Sequence, residues 1–208
     1  MTAARRILPA GDRALLVELP SLADVLALFD ALGRSRPSGV VDLVPASRTI
    51  GVTVDPAILP LSVAHNWLAH TEATVAASVD ERPAVELPVR YDGPDLAEVA
   101  GMLGLSRQAV VELHTGSEWR VAFSGFAPGF GYLVTDHDRL VVPRRATPRT
   151  AVPVGSVGLA GEFSGVYPRS SPGGWQLIGC TDAVLWDADV EPPALLSPGT
   201  VVRFVEAS

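Results

Sequence analysis

The spacing of apolar and polar positions changes character along the chain. Arg13-Ala14-Leu15-Leu16-Val17-Glu18-Leu19 reads as a strand. Beyond it, Leu22, Val25, Leu26, Phe29 and Leu32 recur at helical spacing and predict an amphipathic helix. Ser21 is placed to cap that helix, with Asp24 as the returning acid, and Gly33 to stop it. Val40 to Val44 and Thr49 to Val54 read as short strands, and Leu61 to Ala77 as a second amphipathic helix with Trp67 and Leu68 inward. Residues 1–83 therefore read as a small α+β domain. The order strand, helix, strand, strand, helix, strand predicts a ferredoxin-like sandwich. Arg82-Pro83 is the expected joint.

Residues 84–208 have another texture. Ala84 to Arg90 is a strand. Asp92 is placed to cap a helix carrying Leu96, Val99 and Leu103, which Gly104 ends. Ser106 caps a further helix to about His114, with Leu105 positioned to staple against Val110. Beyond His114 the pattern breaks into short apolar runs between sharp turns. Residues 125–174 hold nine glycines and six prolines. Proline cannot donate to a strand ladder and glycine weakens one, so long regular strands are not expected. Short strands with closely packed loops predict a small, mainly-β barrel, closed by Val201 to Val205.

Composition narrows the function. The chain has 208 residues, 48% hydrophobic and 19% charged, enough apolar material for a real core. Its formal net charge of −7 opposes nonspecific binding to nucleic acid or to an anionic membrane. It also argues against DNA reading by the helix pair before residue 114. Lysine is absent, and all 16 basic residues are arginine. That excludes a P-loop, a Schiff-base lysine and a Ser-Lys acyl enzyme. The one cysteine, Cys180, cannot form an internal disulfide, and no metal site is expected. Arg5-Arg6 leads into Pro9, Gly11, Asp12 and Arg13, so no signal-peptide apolar region follows, and the expected location is cytoplasmic.

The candidate chemistry concentrates late in the chain. Five arginines (139, 144, 145, 149, 169) against three acids make residues 125–174 a basic island in an acidic chain. Eight of the 13 Phe, Trp and Tyr residues lie between Trp119 and Trp175. Aromatic side chains interleaved with glycine and proline build rigid concave walls, or simply a barrel core. Gly125-Phe126-Ala127-Pro128-Gly129-Phe130-Gly131-Tyr132-Leu133 predicts a type II turn at Pro128-Gly129, with amides open to a carboxylate or oxyanion. In Pro143-Arg144-Arg145-Ala146-Thr147-Pro148-Arg149 the prolines favour extended backbone, so Arg145 and Arg149 share a face and either can grip an anion. In Tyr167-Pro168-Arg169-Ser170-Ser171-Pro172-Gly173-Gly174-Trp175, Ser171 and the Gly173-Gly174 pair offer close donors. Ser171 has no base beside it in sequence. His114 is either an acid-base group or a cation at a helix C-terminus. His65 and His70 do not share a helical face, and His137 sits in a polar turn expected to be exposed.

Taken in order with His114 ahead of them, these motifs resemble the KipI / allophanate hydrolase subunit 1 family. The likeness continues through Val152-Pro153-Val154-Gly155-Ser156-Val157-Gly158 and Ser171-Pro172-Gly173-Gly174-Trp175-Gln176-Leu177-Ile178-Gly179. It is dense over residues 114–180. It implies a cyclophilin-like barrel for 84–208 and a smaller α+β first domain. It implies a subunit of an ATP-dependent amide hydrolase that opens 5-oxo-L-proline to L-glutamate, or of a related allophanate hydrolase. The implied partners are an allophanate hydrolase subunit 2 (PxpC-type) protein and a PxpA-type third subunit, with ATP bound together with those partners. The expected site comprises His114 as the catalytic group, with Phe126, Pro128, Gly129, Tyr132, Arg145, Arg149, Tyr167, Ser171, Gly173, Gly174 and Trp175 binding substrate. The alternative it carries is a noncatalytic inhibitor of a histidine kinase. Two stretches depart from the family pattern: Phe163-Ser164-Gly165 replaces Gln-Thr-Gly, and Cys180-Thr181-Asp182 replaces Arg-Thr-Pro. Any substrate contact made there by the family is altered in this chain.

Overall fold

The computed structural model describes residues 5–73 and 84–207. The chain divides into two compact units, Met1–Val79 and Asp80–Ser208. The expected joint Arg82-Pro83 and residues 74–77 of the expected second helix lie outside the described residues.

The first unit contains β1 (Arg6–Pro9), β2 (Ala14–Glu18), α1 (Leu22–Arg34), β3 (Val40–Pro45), β4 (Thr49–Val54) and α2 (Leu61–His70). Its antiparallel sheet has the order β1-β2-β4-β3. Alternation buries Leu15 and Val17 of β2 and Ile50, Val52 and Val54 of β4 on one face. The helices add Val25, Leu28, Leu32 and Leu68 to the same core. Ser21 caps α1 as expected: its Oγ accepts from the Asp24 N–H at 3.2 Å and donates to Asp24 Oδ2 at 2.6 Å. The structure departs from three expectations. Helix α1 passes Gly33 and is capped by Ser35, whose N–H donates to the Ala31 carbonyl. Helix α2 ends at His70, because Thr71 turns extended while its N–H and hydroxyl both donate to the Trp67 carbonyl. The sheet also gains β1 ahead of β2, a strand the pattern did not predict, while the strand expected after the second helix lies outside the described residues.

The second unit contains β5 (Val85–Val89), α3 (Leu96–Leu103), α4 (Arg107–Gly116), β6 (Trp119–Ser124), β7 (Gly131–Val134), β8 (Arg149–Val152), β9 (Ser156–Ala160), β10 (Phe163–Val166), β11 (Ser171–Gly173), β12 (Gln176–Cys180) and β13 (Val201–Glu206). Seven strands form one sheet in the order β12-β9-β10-β7-β6-β13-β5, and β11 pairs separately with β8. The two edges meet just beyond β5. Arg90 and Cys180 exchange backbone hydrogen bonds of 2.8 and 2.9 Å, so the sheet comes close to a closed barrel. The seam continues where the Gly93 and Asp95 amides donate to the Ile178 and Leu177 carbonyls. Gly104 ends α3 in the left-handed conformation and the Ser106 hydroxyl caps α4, both as predicted. The helix cap expected at Asp92 falls at Asp95 instead, and the Asp95 carboxylate caps nothing.

Candidate functional site

The Gly/Pro-rich stretch folds into a second, smaller core around Phe130, Val152, Tyr167, Trp175 and Leu177. Phe130 is its hub, meeting Phe126, Tyr132, Tyr167 and Trp175 edge-on with ring centroids 5.2, 5.1, 5.4 and 5.3 Å away. Gly165 permits this packing: a Cβ there would meet Phe130 Cζ and Trp175 Cζ3, both at 3.0 Å. The rings leave a cavity of about 460 Å³, walled by Phe126, Phe130, Tyr132, Phe163, Tyr167 and Trp175 and completed by Pro143, Arg144, Ala160, Gly161, Pro172 and Gly173. Its lining carries one charged side chain, Arg144, and no acid. A volume of this size falls within the roughly 300–1,000 Å³ of small-molecule sites.

The turn leading into this wall is the type II turn read from sequence. The Phe130 N–H donates to the Ala127 carbonyl at 3.0 Å and Gly129 has φ +82°. Its amides are only partly open. Those of Gly125, Ala127 and Phe130 are used within the turn, whereas those of Phe126 and Gly129 have no acceptor among the described residues. Phe126 adopts φ +67° while 56% exposed at the cavity rim. A bulky side chain in the left-handed region is a strained placement of the kind that gathers at binding sites.

Of the residues singled out from sequence, Phe126, Tyr132, Tyr167, Gly173 and Trp175 line the cavity. Pro128 is exposed on the turn, and Gly129 backs against Leu185 and Trp186. Gly174 gives its carbonyl to the Arg145 N–H and lies under the Arg144 guanidinium. The Ser171 hydroxyl donates to the Arg169 carbonyl at 3.4 Å and meets no base among the described residues.

Arg145 and Arg149 do share a face, as the extended backbone predicted, but that face is not the cavity. Both donate to Oδ1 of Asp95, at 2.9 and 2.7 Å. Asp95 is only 3% exposed, and its second oxygen accepts the Leu177 N–H at 2.6 Å. One buried carboxylate thus ties the 143–149 segment to β12. Alternation turns Arg144 the other way, toward the rings. Sequence reading passed over Arg144 although the same alternation rule separates it from its neighbours; it could not see Asp95, some 50 residues upstream.

His114 is placed away from the cavity. Its ring is fully buried in the barrel interior, 4.2 Å from the Phe204 ring. Nδ1 lies 2.7 Å from the Tyr91 hydroxyl and Nε2 lies 3.0 Å from the Ser164 hydroxyl. A neutral imidazole carries one proton, so one hydroxyl donates to it and the other accepts from it. Burial pushes its pKa down to about 3. His114 is not among the residues that line the cavity, so it has no direct contact with a ligand held there. Ser164 faces His114 while its strand neighbour Phe163 faces the cavity, so the first family departure changes the cavity wall. The second lies on the closing seam, where Asp182 pairs with Arg90 at 2.7 Å. His137 is half-buried, with Nε2 2.8 Å from the Ser117 hydroxyl, not exposed as expected. Among the described residues no cluster of His, Cys, Asp or Glu is arranged to hold a metal ion. No described helix is long and apolar enough to cross a membrane.

Residues 5–196 match the family model described as carboxyltransferase domain, subdomain C and D. The chain belongs to that carboxyltransferase family. Among its relatives, the B subunit of 5-oxoprolinase from Escherichia coli O157:H7 is 46% identical over 170 residues, covering 80% of this chain and 78% of that protein. The same-named protein of Bacillus subtilis (strain 168) is 48% identical over 130 residues, covering 61% and 54%. The crystal structure of TTHA0988 superposes with a TM-score of 0.76 at 39% identity; the match covers 94% of this chain but only 40% of that one. The urea amidolyase of K. lactis, at 20% identity and a TM-score of 0.76, shares the carboxyltransferase fold, and this chain spans 15% of its length. The fold therefore also occurs inside much longer polypeptides.

Proposed function

We propose that the chain is a subunit of a heteromeric, ATP-dependent 5-oxoprolinase that opens 5-oxo-L-proline to L-glutamate, with the aromatic cavity as its part of the substrate site. The observation that carries this reading is the 46% identity to a 5-oxoprolinase B subunit over 80% of the chain. The chemistry of the cavity agrees with it. The substrate is a small ring with one negative charge, and the cavity offers ring faces, one guanidinium and no carboxylate to repel it. The kinase-inhibitor reading finds no support among the named relatives.

A lactam is stabilised by amide resonance, so opening it under mild conditions requires activation. Transfer of the ATP γ-phosphoryl group to the lactam carbonyl oxygen releases ADP and leaves a carbon that water can attack. Attack by one water and cleavage of the ring C–N bond give γ-glutamyl phosphate, and a second water then releases phosphate and yields glutamate. Phosphoryl transfer needs several cations around the nucleotide. This chain has no lysine, and its cavity supplies one arginine. ATP is accordingly assigned to a site formed with the partners, an allophanate hydrolase subunit 2 (PxpC-type) protein and a PxpA-type third subunit.

Co-expression with those two subunits should give ATP-dependent glutamate release from 5-oxo-L-proline, and the chain alone should give none. Turnover by the isolated chain, or none by the assembled complex, would overturn the reading.

A further inference from the structure

We propose that Arg144 is the specificity-determining cation of the cavity, selecting a small lactam-type ring that bears a carboxylate over the same ring without one. Only the naming of the ligand rests on the functional reading above; the distribution of charge around the cavity carries the rest.

Three arginines lie within six residues of one another, and two are already committed. Arg145 and Arg149 are held by Asp95, whose charge they neutralise. Arg144 is exposed and makes no hydrogen bond or ion pair among the described residues. Its backbone is nonetheless anchored. The neighbouring Arg145 is fixed through its backbone to Gly174 and through its side chain to Asp95, which holds the backbone that carries Arg144 at the cavity wall. A guanidinium presents paired N–H donors that match the two oxygens of a carboxylate.

The phenols beside it complete the pattern. The charge of Arg144 acts on both Tyr132 and Tyr167, lowering each phenol pKa against the larger upward effect of burial. Both phenols thus remain protonated at neutral pH and carry no charge that would repel an anion. The Tyr167 oxygen is engaged with the Trp175 backbone. The Tyr132 hydroxyl has no protein partner among the described residues, which leaves it available to donate to a ring carbonyl. The ring itself meets the faces and edges of Phe126, Phe130 and Trp175. A carboxylate without a ring forfeits those contacts, and a ring without a carboxylate forfeits the guanidinium.

The test is a calorimetric titration of the full chain with 5-oxo-L-proline, pyrrolidin-2-one and acetate. The acid should bind more tightly than either fragment. Arg144→Gln should weaken it by about tenfold or more, the size of a charge-assisted hydrogen bond. Arg144→Lys should restore part of the loss. Arg139→Gln, which removes an exposed charge outside the cavity, should change nothing. Unchanged binding in Arg144→Gln, pyrrolidin-2-one binding as tightly as the acid, or no binding of the acid at all would overturn the assignment. The functional reading fails separately. If the assembled complex releases no glutamate while Arg144-dependent binding persists, the activity is wrong and the site stands. If the complex is active and Arg144→Gln leaves its KM for 5-oxo-L-proline unchanged, the activity stands and the site is wrong.

Discussion

Around Asp95 each formal charge meets its opposite, whereas in the aromatic cavity Arg144 meets none. The two regions share one segment, residues 143–149, and one strand, β12. In the first, a carboxylate that is 4% exposed at its side chain holds two guanidinium groups and a backbone amide. Glu98 adds a looser contact to Arg145 at 3.8 Å. The atoms left over there are Arg145 Nε and Gln176 Oε1, both buried without a partner among the described residues. In the second region the rings pack among themselves and the cation is left to solvent. The difference shows why a cluster of arginines in sequence is not yet an anion site. A buried carboxylate consumes the nearest cations, and the one on the opposite side of an extended backbone remains.

The most forceful way to break the contrast is to remove the carboxylate. Asp95→Ala leaves two guanidinium groups facing each other and an amide without an acceptor. Loss of one partner of a buried ion pair costs about 3–5 kcal/mol. Asp95→Asn keeps an acceptor for the Leu177 N–H and should cost less. Urea unfolding midpoints decide it: if the alanine variant is as stable as the wild type, Asp95 is no brace.

His114 extends the closed region into the barrel interior and can be tested by pH. Its folded pKa is about 3, below the ordinary value of 6.5 for a free histidine. The unfolded chain therefore binds the proton more readily. The stability due to neutral His114 is complete above about pH 6.5 and is lost as pH falls from there toward 3, by up to about 1.4 kcal/mol per pH unit. In His114→Gln this contribution to the slope should vanish. Equal slopes in the two proteins over that range would show that the ring does not stay neutral on folding.

The mildest change sharpens the open side. Gly129→Ala places a Cβ at φ +82°, 2.8 Å from Trp186 Cβ and 2.9 Å from the Leu185 carbonyl oxygen. The left-handed conformation alone costs a non-glycine residue about 1–2 kcal/mol. A small fall in melting temperature should accompany weaker ligand binding, because the turn carries Phe126 and Phe130 into the cavity wall. Unchanged melting would mean that the turn relaxes without cost.

Much of this was legible in residue order, because periodicity, capping and turn chemistry act over a few neighbours. The sequence alone determined the cap at Ser21, the stop at Gly104, the type II turn at Pro128-Gly129, the short strands of the second unit and the common face of Arg145 and Arg149. The motifs of residues 114–180 also determined the family. Only tertiary structure decided what those faces look at. Strand order placed β1 ahead of the sheet it completes, and packing against Tyr91, Ser164, Trp119 and Phe204 sealed His114 in the core. Asp95, distant in the chain, took the two arginines that local pattern had assigned to a ligand. Each of these outcomes turns on which distant group fills the space next to a side chain. Burial and counter-charge are properties of that space, and no local rule of spacing contains them.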